Sequence, residues 1–258
     1  MIGEVQTFRW SGVEQLYLDE PVVDTCGRVI IGRYGGSLQA GAHKNEDGAL
    51  VFCGDDWEFA VLIDAHYSAQ SSALIVSAIQ SKKAEILECL SLGLESAFTR
   101  LHTLLVELFS SQDFRHKCDE VIGEASVLIC ARKGGFLWWM NVGDVLVFLL
   151  HSELARMGQY ALNQRSFYEW IGQRNTFDLP VPCYASGVRQ LMYDRNRVVM
   201  TTDGLLEFGE ERFGDHEFLY EFFASMGNLV QGVREALEQV HVGGGKDSAT
   251  IIAWDCYG

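Results

Sequence analysis

Long apolar runs are missing from this sequence: no stretch reaches the ~18 consecutive apolar residues that a membrane-spanning helix needs. Proline is scarce, with three residues in 258, and low-complexity tracts are absent, which argues against a disordered chain or a linker-joined array. Basic residues are also few. Twenty Lys and Arg stand against 35 Asp and Glu, giving a net charge of −15 and a pI near 4.8. Such a surface repels phosphate backbones and anionic headgroups, so neither nucleic acid nor membrane is an expected partner. The seven cysteines are odd in number, widely spaced and free of any Cys-x-x-Cys pair, which excludes a disulfide framework and a thiolate zinc or redox site. They read as reduced core thiols. Between Met1 and Trp10, Glu4 and Arg9 interrupt what a signal peptide would keep apolar, so a cytoplasmic location is expected; the chain is also expected to act as a monomer.

An apolar share of 48% with 21% charged residues supplies a real core, and residues 1–258 are expected to form a single domain. Short β-branched and aromatic runs bounded by glycine or charge predict strands over Ala49–Cys53, Glu58–Asp64, Ala125–Ala131, Phe136–Val142, Val145–Leu150, Arg197–Thr202 and Ala249–Trp254. Lys133-Gly134-Gly135 predicts a tight hairpin between two of them. Leu94, Phe98, Leu101, Leu105 and Leu108 recur at steps of four and three and share one helix face; Leu74, Ile75, Ala78 and Ile79 form another just before. More helix follows Thr202-Asp203-Gly204, through Phe218, Phe222 and Phe223 and then Leu229, Val233 and Leu237. Strands, two inserted helices, strands again, then helices and a last strand do not alternate as a doubly wound fold does. The order favours an α+β arrangement of antiparallel sheets covered by helices. Residues 151–190, with Pro180 and Pro182, read as an irregular excursion of the kind that forms flaps or lids.

Acidic residues occur where apolar runs end or turns begin: Asn45-Glu46-Asp47-Gly48, Asp64-Ala65-His66, Asp203-Gly204 and Lys246-Asp247-Ser248. One Asp-Gly alone is simply a turn. Several carboxylates at strand ends, however, can converge on one sheet edge, where like charge and burial are costly unless a divalent cation joins them. Oxygen ligands suit Mg²⁺ or Mn²⁺.

Six segments together resemble the metal-dependent serine/threonine phosphatases of the protein phosphatase 2C type, over about Arg33 to Trp254: Asn45-Glu46-Asp47, Asp64-Ala65-His66, Gly123-Glu124-Ala125-Ser126, Asn141-Val142-Gly143-Asp144, Thr201-Thr202-Asp203-Gly204-Leu205 and Asp247-Ser248-Ala249-Thr250. The resemblance implies an αββα four-layer sandwich, two antiparallel sheets between helix layers, acting on phosphoprotein substrates. It implies two Mn²⁺ or Mg²⁺ ions and room for a third. Asp64 would bridge the pair, Ala65 would offer its carbonyl, and Glu46 would hold the second ion through water. Asp203 and Asp247 would complete the first ion's ligands, with Asp47 behind them. Asp144 would join Asp203 on the third ion, and His66 would be the general acid. Two ions acidify a shared water, which attacks phosphorus while an acid protonates the departing alkoxide.

The chain departs from the family at two places. The usual Asp-Gly-His-Gly-Gly is Asp64-Ala65-His66-Tyr67-Ser68, which predicts crowding or an altered turn. The family's phosphate-binding Arg, four residues before the Glu, is Ala42, leaving His43 and Lys44 as candidates to hold phosphate. A catalytically weak relative that binds a signalling partner, or a two-metal phosphoesterase for a small molecule, are the alternatives. Cys183 and Arg189 match the spacing of cysteine-dependent phosphatases, but no strand leads into them and no glycine-rich cradle follows. Gly243-Gly244-Gly245-Lys246 lacks the Ser or Thr of a nucleotide phosphate loop.

Overall fold

Apolar runs without polar alternation need cover on both faces, and two facing sheets with helices outside provide it. The computed structural model describes residues 4–258. One sheet runs β1 (Gln6–Ser11), β4 (Gly48–Cys53), β5 (Trp57–Ala65), β6 (Glu124–Lys133), β7 (Phe136–Val142) and β10 (Ala185–Gln190), with the two-residue β9 (Ile171–Gly172) on β6. The other runs β2 (Val22–Cys26), β3 (Val29–Tyr34), β12 (Ala249–Tyr257), β11 (Arg195–Thr201) and β8 (Leu146–Leu150). Every pairing is antiparallel. Along β5, Ala60 and Leu62 enter the core between the sheets, while Phe59, Val61 and Ile63 enter the core under the helices.

That outer core of the first sheet is closed by α1 (Gln70–Ser81), α2 (Lys83–Ser91), α3 (Leu94–Ser110) and α4 (Gln112–Asp119). A short α5 (Ser152–Ala155) follows β8; α6 (Asp203–Leu206), α7 (His216–Ser225) and α8 (Leu229–Val242) close the second sheet. The result is the four-layer αββα sandwich, and a fully buried Leu, Val or Phe in any of its cores contributes roughly 1.5–3 kcal/mol. Gly134, at φ +53°, turns the β6–β7 hairpin with Lys133 opposite Phe136.

The structure corrects several details of the sequence reading. Four helices, not two, separate β5 from β6, because the chain breaks at Lys82, at Leu92-Gly93 and at Ser111, whose hydroxyl accepts from Phe114 N to cap α4. β3 was hidden because Gly32 and Arg33 interrupt its apolar run. A Cβ on Gly32 would lie 2.4 Å from Val233, so its absence lets α8 pack closely. Arg33 is buried by pairing with Asp24 and by stacking against Phe8, Trp10 and Tyr17. Part of the 151–190 excursion, Ala185–Gln190, is the edge strand β10. Of the stretch Met1 to Trp10, residues 1–3 lie outside those described, and β1 begins at Gln6.

Candidate metal centre

Strand register brings the acidic residues together. Gly48 pairs with Ile63, so Asp47 in the preceding loop lies opposite Asp64 at the end of β5, and Asp64 in turn faces Ser126 on β6. Asp144 sits in the β7–β8 turn beside Ser126, whose hydroxyl donates to its Oδ1 at 2.7 Å. From the second sheet, Thr201 pairs with Ile251, which sets Asp203 at the start of α6 alongside the Asp247-Ser248 segment entering β12. The approach there is tight. A Cβ on Gly204 would fall 2.0 Å from Ser248 O, so only glycine lets the two segments meet.

Asp47 is wholly buried and anchors the group. It accepts from Thr250 Oγ1 at 2.6 Å, Ser248 Oγ at 2.9 Å and Thr202 Oγ1 at 3.2 Å. Burial nonetheless pushes its pKa up to about 7, and the same cause, followed by the charge of Asp247, pushes Asp203 up to about 6. Asp64 is raised well above the carboxylate range by burial and then by Asp203, Asp47, Asp144 and Asp247. Its Oδ2 is buried without a hydrogen-bond partner. An orphaned carboxylate oxygen among four other carboxylates fits a hard divalent cation. Among the described residues, no three His, Cys, Asp or Glu side chains already stand at metal-ligand spacing. Cationic side chains hold part of the space instead: Lys44 Nζ lies 2.6 Å from Glu46 Oε1, and Arg165 reaches Asp144, Asp203 and Glu207.

Glu46, Asp64, Ala65, His66, Asp203 and Asp247 line an open cavity of about 840 Å³. His43 and Lys44 stand at its rim, exposed, beside buried Ala42. His66 donates its backbone N–H to Glu124 O at 2.7 Å, and its ring Nδ1 is buried without a partner. The altered turn is accommodated locally. Tyr67 adopts φ +72° and is 74% exposed, and Ser68 Oγ donates to Ile122 O at 2.6 Å. Asp144 lies with His66 in an adjoining small cavity under Phe167, Tyr168 and Trp170.

Three contributors carry no role in the sequence reading: the hydroxyls on Asp47, buried Glu124 in the cavity wall, and Arg165. The first two lie inside quoted motifs, so their signal was present. Arg165 lies in the excursion and had none. Cys183 and Arg189 do not form the loop of a cysteine-dependent phosphatase, because Arg189 lies in extended β10, where four residues at roughly 3.3 Å each carry it about 13 Å beyond Ala185. Two histidines away from the cavity have structural partners, Tyr34 for His241 and Tyr184 for His102.

No protein-family model and no curated protein matches the chain by sequence. Solved structures do. A bacterial serine phosphatase superposes with TM-score 0.64 at 16% identity, over 100% of this chain and 99% of its own. Serine/threonine phosphatase Stp1 from Staphylococcus aureus gives 0.62 at 15%, over 100% and 96%. The catalytic domain of the serine threonine protein phosphatase PstP, in complex with two manganese ions, gives 0.55 at 13%, over 98% and 99%. The described residues have the fold of these proteins. No described helix is long and apolar enough to cross a membrane.

Proposed function

We propose that this chain is a single catalytic unit that hydrolyses phosphoserine and phosphothreonine in proteins, using two divalent ions, Mn²⁺ or Mg²⁺. The observation that carries the reading is Asp64: a buried carboxylate with one orphaned oxygen, surrounded by Asp47, Asp144, Asp203 and Asp247 on the wall of an open cavity. Asp64, the Ala65 carbonyl, Asp203, Asp247 and Glu46 would hold the ions. When bound, they supply phosphoryl charge neutralisation and a water acidic enough to attack at neutral pH.

The chain's own residues do the rest. Asp47, clamped by three hydroxyls, orients the Asp203 and Asp247 segments from behind. His66 faces the cavity and hands a proton to the departing serine or threonine alkoxide. His43 and Lys44 hold the phosphate at the rim. Lys44 must exchange its 2.6 Å contact with Glu46 for a phosphate oxygen to do so, and Glu46 would be released from it on helping to hold an ion.

A second reading has its own observation. With Ala42 where a guanidinium would grip phosphate, and Lys44 held by Glu46, the chain could bind a phosphorylated signalling partner without turning it over. Hydrolysis of a phosphothreonine peptide separates the two. The enzyme reading expects release of phosphate with Mn²⁺ that EDTA abolishes and Asp64→Asn lowers by at least about a hundredfold, by analogy with loss of a charge-stabilising group. Equal release by the wild type and Asp64→Asn refutes it, and tight peptide binding without release supports the second reading.

A further inference from the structure

Past α5 the chain turns back along the free edge of β8. Leu149 N donates to Tyr160 O and Leu162 N to Val147 O, both at 2.9 Å, with Phe148 bridged to Ala161. The Asn163 amide then spans β8, accepting from Val147 N at 2.9 Å and donating to Val145 O at 2.8 Å. Ser166 N closes the run on Gly143 O at 3.0 Å. A backbone ladder therefore delivers Arg165 to the turn that carries Asp144.

The guanidinium lies among three carboxylates. Nη2 is 3.4 Å from Asp144 Oδ2 and 3.3 Å from Asp203 Oδ2, and Nη1 is 2.5 Å from Glu207 Oε1. Phe167 covers it at 5.1 Å. Arginine does not deprotonate in proteins, so it cannot vacate this position by losing charge. A divalent ion binding Asp144 and Asp203 would need oxygens at roughly 2.1 Å, in the space that Nη2 holds. Asp144 is otherwise satisfied by Ser126.

We infer that Arg165 is a built-in cation joining Asp144 to Asp203, so that the site takes two divalent ions and excludes a third. This rests on the metal reading above. The third position thus belongs to the chain itself, and Arg165 sets the orientation of Asp203 as a positioning residue.

Titration calorimetry of Mn²⁺ into the metal-free full chain tests it, with ion count rather than turnover as the readout. Wild type and Arg165→Lys bind two ions, Arg165→Ala binds three, and Asp144→Asn in the wild-type background still binds two. Three ions on the wild type, an unchanged count in a folded Arg165→Ala, or a lower count in Asp144→Asn overturns the inference. Should Arg165→Ala fail to fold by circular dichroism, the wild-type and Asp144→Asn counts decide. Absence of any binding to the wild type instead overturns the metal reading, and this inference with it.

Discussion

Replacing Asp203 by Asn should stabilise the metal-free protein at neutral pH while weakening its response to Mn²⁺. A raised carboxyl pKa means that the folded protein holds the proton more tightly than the unfolded chain does. Well below pH 3.8 both states are protonated and the group contributes no difference. As pH climbs, the unfolded chain ionises freely while the folded one must ionise beside Asp247, Asp144 and Glu207, so stability falls until about pH 6 and is then level. The rise from 3.8 to about 6 spans about two pH units. At about 1.4 kcal/mol each, it puts about 3 kcal/mol of strain on the folded state at pH 7. Asp47 and Asp64 lie in the same field, so neutralising Asp203 relieves at most this much. Asn keeps the shape without the charge. In EDTA the Asp203→Asn midpoint should therefore gain on the wild type by up to about 12 °C between pH 4 and pH 7. Saturating Mn²⁺, at a thousand times its Kd, returns about 4 kcal/mol to the wild type. Differential scanning calorimetry at the two pH values, with EDTA and with Mn²⁺, reads all of this. A gap between the two proteins that does not change with pH would falsify the account of Asp203 as a carboxylate strained by burial and like charge.

Three further outcomes follow from particular contacts. Tyr67 holds φ +72° with its side chain largely in solvent, and a left-handed non-glycine residue costs about 1–2 kcal/mol. Tyr67→Gly should raise the melting temperature by a few degrees even after glycine's extra chain entropy, and a fall shows that this turn is unstrained. Thr250→Val keeps the shape of a buried residue but removes its 2.6 Å bond to Asp47, which should cost about 1–3 kcal/mol by urea denaturation; no loss means that the other two hydroxyls suffice. Lys44→Ala and His43→Ala should raise KM for a phosphopeptide more than they lower kcat, by about tenfold for loss of a charge-assisted contact. Unchanged KM in both places the phosphate grip elsewhere.

How much was legible in the sequence varies with how local the signal was. β4, β5, β6 and β12 were readable because they are buried on both faces and so carry uninterrupted apolar runs. β1, β2 and β10 were not, since each carries exposed or half-buried positions and its sequence mixes polar and apolar residues. Their pairing comes from register with a covered neighbour rather than from their own composition.

The amino-acid sequence by itself determined the acidic residues at the ends of its apolar runs, and with them the chemistry available: oxygen ligands for a hard cation. Strand ends stay recognisable because burial stops there and charge begins. Tertiary structure alone decided which carboxylates meet, which is left with an orphaned oxygen and which is already answered by a cation. Asp64, Asp144 and Asp203 are far apart along the chain, and Arg165 reaches two of them only because residues 160–166 lie along β8. Electrostatic pairing depends on distance in space, which no local pattern encodes.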